Sequence, residues 1–459
     1  MTDAFPQPLV LLGSFLWEFL ALSWWLWAFL ILFPLTHSAW FFWRKSIYKE
    51  DIEWVLLEIR IPREIKRNPR AMEQVFTAMY SLRNVANTLL EKWWDGEVTR
   101  WNALEIVSFG GETHFYVRVY WRQKALMQAA FLSYYPDLEL VEVDDYVDKF
   151  PANMDELYKR GYDTWGTEIV LKNKEAYPIR TYEDFESPDE DKQYDTMSSF
   201  LELFSSMKRE EIVAVQILVA PMDLDWHEKW KSLLENLKSK KDKGKYGTKT
   251  SFPTDVVLGP LPMFEVSKPG EDDLGFLKTA FRTPGETDVL KAIGNNLSKS
   301  AFETTMRMIF LSPKSIFHDA FPRRGMRGVF NQFTSLDLNA LIFNEKTSVA
   351  DARILLFHKP FLFPKSRSEH KKARMLYNYL RREVPEEEFV GKVMTSVGFN
   401  WNFGSRSFAM NTECLATVFH PPSFLSLTGP HVKRVESRKG GPPAGLAIFG
   451  GEEEVGKLQ

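Results

Sequence analysis

Residues 103–121 read ALEIVSFGGETHFYVRVYW, and this stretch decides the fold class. Residues 103–109 are rich in β-branched and aliphatic side chains, and Gly110-Gly111 supplies the two positive-φ positions of a tight hairpin turn. Beyond the turn, Phe115, Val117, Val119 and Trp121 alternate with His114, Tyr116, Arg118 and Tyr120. A period of two puts the first set on one face of a strand and the second on the other. The reading is a β-hairpin with one apolar face.

Outward from the hairpin, the flanking segments supply its partners. Residues 54–61, WVLLEIRI, form a further strand candidate. Pro69 suits a first helical turn, and Met72, Val75, Phe76, Met79, Leu82, Ala86, Leu89 and Trp93 follow at helical spacing. A second helix is expected over 123–133, stopping before Pro136, and residues 138–143, LELVEV, give a fourth strand. The order strand, helix, strand, strand, helix, strand predicts a ferredoxin-like βαββαβ domain over 50–150. That fold hosts many activities and names none.

The segment before it differs in kind. Residues 19–43, FLALSWWLWAFLILFPLTHSAWFFW, hold no Asp, Glu, Lys or Arg. About 20 such residues cross a bilayer as a helix. A transmembrane helix is therefore expected, with Phe19, Trp24, Trp25, Trp27 and Phe33 facing lipid and Trp40 and Trp43 in the headgroup belt. The first 17 residues lack Lys and Arg, whereas Arg44 and Lys45 follow the apolar run. The positive-inside rule then puts residues 1–18 outside a cell membrane crossed once, with the remaining body cytoplasmic. A cleaved signal peptide fits less well, because no basic n-region precedes the run and no small-x-small site follows it.

The second half reads as another α+β unit, over 160–238 and 283–420. Strands are expected at 167–172, 211–220, 302–310 and 354–359. Helices are expected near 195–207, 284–296, 313–332 and 369–383, with another carrying Trp226, Trp230, Leu233, Leu234 and Leu237. Residues 239–282 are a polar, Lys-, Gly- and Pro-rich insertion, and 421–459 a Gly-, Pro- and Glu-rich flexible tail. Residues 412–420 read as a short helix capped by Asn411 or Thr412 and stopped by Pro421-Pro422.

Composition narrows the chemistry. A net charge of −3 over 459 residues does not describe a chain built to coat nucleic acid. The single cysteine, Cys414, allows neither an internal disulfide nor a Cys-rich zinc site. His420 lies six residues from it, on another side of the helix, so the two form no local dyad. The other histidines are scattered singly, and no P-loop, H-E-x-x-H, G-x-S-x-G or G-x-G-x-x-G motif occurs. No catalytic residue, metal site or cofactor is expected.

Specific residues gather toward the C-terminus. Phe408-Ala-Met-Asn-Thr-Glu-Cys-Leu-Ala-Thr-Val-Phe-His420, then Pro421-Pro422 and Arg434-Val-Glu-Ser-Arg-Lys-Gly-Gly-Pro-Pro443, resemble the segment leading into the motor of conjugation-type, type IV secretion ATPases. Ser298 to Phe310, Phe330-Asn-Gln-Phe333, Leu338-Asn339 and Leu57 to Ile65 are similar to other pre-motor parts of that family. Cys414 stands where the family has a second acid, and the sequence given stops at Gln459, where its motor would begin.

The resemblance implies a membrane-anchored, non-catalytic subunit of a DNA or protein translocation apparatus, docking a separately encoded P-loop ATPase. Asn411, Thr412, Glu413, Phe419, His420, Arg434, Pro442 and Pro443 are the partner-binding residues it suggests. It also implies a bilayer partner, a homo-oligomer by analogy with ring-shaped motors, and at most indirect contact with nucleic acid. The alternative reading is a membrane-tethered nucleic-acid-binding module using the lysines of 238–249.

Overall fold

The computed structural model describes residues 7–62, 67–84, 88, 90–186, 194–239, 284–318, 320–349, 363–385, 389–394, 400, 403–423 and 434–435. Within them, ten strands form one sheet: β1 (Trp54–Pro62), β2 (Asn102–Phe109), β3 (Glu112–Tyr120), β4 (Glu139–Val143), β5 (Tyr162–Leu171), β6 (Ile212–Pro221), β7 (Ala301–Pro313), β8 (Leu341–Phe343), β9 (Phe408–Asn411) and β10 (Arg434–Val435). The helices are α1 (Gln7–Glu50), α2 (Pro69–Ser81), α3 (Lys124–Tyr134), α4 (Met154–Lys159), α5 (Met197–Ser205), α6 (Lys231–Ser239), α7 (Pro284–Leu297), α8 (Ala320–Asn331), α9 (Pro364–Leu380), α10 (Phe389–Met394) and α11 (Thr412–Val418).

The hairpin of residues 103–121 forms as its alternation dictates. Gly110 and Gly111 both have positive φ, 58° and 95°, the combination a two-residue turn between twisted strands requires. β1 lies between β3 and β4, and β2 flanks β3, all antiparallel, so the first four strands run fourth, first, third, second. The second half repeats this order as β8, β5, β7, β6. The two sets meet where β2 and β6 pair antiparallel over eight residues, from Asn102 opposite Val219 to Phe109 opposite Ile212. The halves expected as separate domains thus share one sheet. β9 extends it beside β7, and the two-residue β10 runs parallel to β1.

One face carries the larger core. Leu57, Leu104, Ile106, Phe115, Val117, Val215, Met306 and Phe310 project into it and meet α2, α3, α5, α8 and α11 through Phe76, Phe131, Phe200, Phe330 and Leu415. Burying a large apolar side chain contributes roughly 1.5–3 kcal/mol. The opposite face is covered by α4 and α9, where Tyr116, Tyr146, Leu157, Ile309, Leu376 and Tyr379 cluster. Gly166 lets α9 lie against β5: a Cβ there would meet Met375 Cγ at 2.7 Å and Met308 O at 2.9 Å.

Several expected boundaries shift. The helix opened by Pro69 stops at Ser81 rather than continuing to Trp93, which lies in a separate π-helical turn, Glu91–Asp95. The helix expected from 313 begins at Ala320, because β7 runs on to Pro313. The strand at 354–359, nearly all of the 239–282 insertion and most of the tail lie outside the described residues.

α1 is bent by 51° between Trp17–Leu26 and Ala28–Glu50. Ser23, one turn before the break, donates its hydroxyl to Phe19 O, a back-bond that bends helices. Among the described residues no single helix is long and apolar enough to cross a membrane; the bent pair together meets that test by length and composition.

Candidate functional site: a basic cleft at the foot of α1

A line of polar side chains crosses the α9-facing side of the sheet in unbroken register. Glu58 stands opposite Tyr116, Tyr116 opposite Glu105, Glu105 opposite Gln216, Gln216 opposite Arg307, and Arg307 opposite Glu168. Glu105, Gln216, Arg307 and Glu168 are all buried. Charges buried this way persist only when paired and hydrogen-bonded.

Two arginines carry most of the pairing. Arg307 donates through Nε to Glu168 Oε1 at 3.0 Å and through Nη1 to the Asn378 carbonyl at 3.2 Å. The Arg406 amide and the Ser405 hydroxyl also donate to the Glu168 carboxylate. Arg382 donates to Glu105 at 2.7 and 3.0 Å and to Asp145 at 2.7 and 3.0 Å. It follows the C-terminal end of α9 with φ of 51°, a left-handed position that usually falls to glycine. The two carboxylates hold it there. Burial acts to lower the Arg382 pKa, but Glu105 and Asp145 hold it well above the ordinary value. Burial, then Glu105, raises the pKa of Tyr146 and of Tyr379, so both stay phenols and hydrogen-bond each other at 2.6 Å.

Beside this network a cleft of about 1200 Å³ opens between α1, the start of β1, β3, α9 and the 403–407 strand approach. α1 contributes Phe42, Ser46 and Lys49; Trp54, Trp101 and Arg118 line another wall. Arg118 lies 4.4 Å over the Trp54 ring, and among the described residues it makes no hydrogen bond or ion pair. Burial, then the neighbouring Arg382, pulls its pKa down to about 9, so the guanidinium still carries its charge at neutral pH. Arg374 Nε and Asn378 Oδ1 are buried and without hydrogen-bond partners. The nearby serines bond elsewhere: Ser405 to Glu168 and Ser407 to Glu303. The cleft is therefore equipped to bind an anion.

Around the foot of α1 sits an aromatic collar. His37 and Phe41 pack edge-on against Trp93 at 4.5 and 4.9 Å, and Trp40 lies 5.3 Å from Trp43 and 5.9 Å from Trp94. Trp40 Nε1 donates to the Trp93 carbonyl at 3.1 Å, and Arg44 Nε to that of Trp94. The α10 amide of Val390 donates to Ser38 Oγ at 3.0 Å. The last third of the expected 19–43 span is thus docked on the body. Phe19, Trp24, Trp25 and Phe33 remain exposed. Trp27 lies at the bend, and Lys45 is half-buried.

The partner-binding residues suggested by sequence are placed differently. Asn411 caps α11, accepting from the Cys414 amide at 2.8 Å. Thr412 and Glu413 are buried around Lys299, which reaches Glu413 at 2.9 Å and Glu73 at 2.7 Å. Phe419 is buried against Phe115. His420 donates through Nδ1 to the Ala416 carbonyl at 2.8 Å and pairs through Nε2 with the Asp195 carboxylate at 3.1 Å. In this structure these five residues hold the core together, and none presents a surface to a partner. Burial pushes the Cys414 thiol up to about 12, the opposite of nucleophile activation. Arg434 belongs to β10, opposite Ile61, and Pro442 and Pro443 lie outside the described residues.

Sequence reasoning gave no binding role to Arg118, Asp145, Arg374, Arg382 or the Trp93-Trp94 turn. Two signals were present: Arg118 already fell on the face of β3 opposite the apolar one, and Arg374 belongs to the basic run His370-Lys371-Lys372-Ala373-Arg374 of an expected helix, read as a solvated face. Among the described residues, no group of three or more His, Cys, Asp or Glu could hold a metal ion. No protein-family model matches the chain, and no curated protein matches it.

Proposed function

We propose that the chain is a membrane-anchored, non-catalytic body of a conjugation-type translocation apparatus that holds a P-loop motor at the membrane face. The observation that carries the anchoring is the exposed apolar length of α1. Phe15, Trp17, Leu22, Trp24, Trp25, Phe29, Leu32 and Phe33 are each more than half exposed, and this length leads straight into the collar of Trp40, Trp43, Trp93 and Trp94. Tryptophan at the end of an apolar helix suits a membrane–water interface. On this reading α1 enters the bilayer as a bent span and the collar sits at the headgroup level.

Each half, with strands ordered fourth, first, third, second, is read as a ferredoxin-like unit, two of them fused through β2 and β6. Motor docking is supported by the sequence likeness over 298–310 and 408–443. Because Asn411 to His420 are buried, we assign docking to Arg434 and the rest of the 435–443 stretch that the likeness also covers.

The test is affinity purification of the full-length chain from detergent-solubilised native membranes, with co-purifying proteins identified by mass spectrometry. A stoichiometric P-loop ATPase is the expected result. Its absence at several cross-linking strengths would leave the motor-docking reading without support.

A further inference from the structure

We propose that the cleft at the foot of α1 binds a phosphate-bearing anion, carried by a phospholipid headgroup or by a free phosphate ester. Six of the cations lining it, Arg118, Lys346, Arg374, Arg381, Lys392 and Arg406, have no carboxylate partner among the described residues. Most of the acids there are already engaged. Asp145 is held by Arg382, Glu303 accepts from Ser407, and Glu383 lies 4.0 Å from Lys49. Glu50 and Asp148 are the other two acids in the lining. With Glu105 and Glu168 counted as the buried partners of Arg382 and Arg307, nine cations stand against seven acids, so the cleft keeps a modest positive excess in a chain whose net charge is −3.

Position matters as much as charge. A cation on an open surface is solvated and needs no partner, but Arg118 is stacked on Trp54 at the inner wall, out of reach of any carboxylate hydrogen bond. Leaving such a group unpaired is costly, and an anion with several acceptor oxygens removes the cost. Arg374 Nε adds an unused donor. Asn378 Oδ1, on a residue 4% exposed, adds an unused acceptor that suits a ligand hydroxyl. The cavity, about 1200 Å³, admits a headgroup-sized ligand.

On the anchored reading the cleft also lies close to the membrane. Ser46, which lines it, follows Trp40 of the collar by six residues, about 9 Å along a helix. The polar layer of a bilayer leaflet is about 5–8 Å deep, so with the collar at the headgroup level the cleft opens at the outer edge of that layer, a few ångströms from its headgroups. The inference stands on the charges of the cleft and requires no motor partner, so it and the docking reading fail separately.

Calorimetric titration of the purified full-length chain in neutral detergent tests it. The probes are dihexanoyl phosphatidylglycerol, dihexanoyl phosphatidylcholine and glycerol 3-phosphate. Saturable binding of the phosphatidylglycerol is expected, at least about tenfold tighter than of the zwitterionic lipid, and weakened about tenfold or more in Arg118→Gln/Arg374→Gln. Arg381→Glu/Arg406→Glu, confined to exposed side chains, tests the same field if the first pair does not fold, and should weaken binding several-fold. Glycerol 3-phosphate binding equally well assigns a free ester; failure to compete assigns the lipid. No saturable binding of phosphatidylglycerol or of glycerol 3-phosphate, or unchanged affinity in the charge-reversed variant, overturns the proposal.

Discussion

At the scale of single residues, Asp195 ties the two ends of the second half together. His420 Nε2 reaches one carboxylate oxygen at 3.1 Å; the Ser423 amide and hydroxyl donate to the other at 2.7 and 2.8 Å. Serine and histidine bond the aspartate rather than each other, so the arrangement is a clasp and not a nucleophile–base pair. Burial acts to raise the Asp195 pKa, but the His420 charge and the hydrogen bonds from His420 and Ser423 outweigh it and hold it below the ordinary 3.8. A depressed folded-state value stabilises the protein above the unfolded value, and that contribution disappears as pH falls through the folded one. Asp195→Asn should therefore cost roughly 1–3 kcal/mol at pH 7. The gap to the parent should narrow as pH drops below 3.8. Denaturant unfolding at pH 7 and pH 3 measures both, and a gap of constant size would remove the clasp from the account. A cap at Asn411 or Thr412 was legible, and the structure gives it to Asn411. The burial of the whole of α11 was not, because Glu73 and Lys299, which pair with its Thr412 and Glu413, lie more than 100 residues away in sequence.

Elements show where local pattern stops being enough. The first four strands and their helices were readable, since period-two alternation, the Gly-Gly turn and Pro69 are local signals. The foot of α1 was not. Trp40 and Trp43, expected in the headgroup belt, stay exposed, but the same turns also close on the body: Trp40 donates to a carbonyl 53 residues on, and Trp93 wedges between His37 and Phe41. A continuous apolar run says that a helix is buried, but whether lipid or protein buries a given turn depends on distant segments. Trp93→Ala removes two edge-on aromatic contacts, each worth about 0.5–1.5 kcal/mol. Amide exchange over residues 38–48 should then speed up about fivefold to a hundredfold, with β2 and β6 unchanged. Exchange at the parent rate would mean the collar does not hold the foot of α1.

For the whole molecule the deciding feature is the seam between β2 and β6. Every strand of the first half is matched by one in the second, and the sheet is continuous because β2 and β6 pair over eight residues, with Gln216 donating to Glu105 across the seam, 111 residues apart in sequence. Nothing in either strand announces its partner, since both are apolar on the core face and nearly all their residues are buried. The cleft was hidden for the same reason: α1, β1, β3, α9 and residues 403–407 each supply a cation or a wall, and only the fold assembles them. Dividing the chain before β6 exposes all eight residues of β2 as an edge without its ladder partner. Such an uncovered edge, with its row of unpaired N–H and C=O groups, templates association with other chains. Glu105 would also lose Gln216 and Arg382 together, leaving a buried carboxylate unpaired. Residues 1–150 alone, in the detergent that keeps the full chain monodisperse, should therefore run as aggregates on size exclusion. Co-expression with residues 151–459 should restore a soluble complex of the two pieces, because the seam can close between chains as it does within one. A monodisperse fragment 1–150 with native strand content would show instead that each half completes its own core, and that the seam is a contact between finished units.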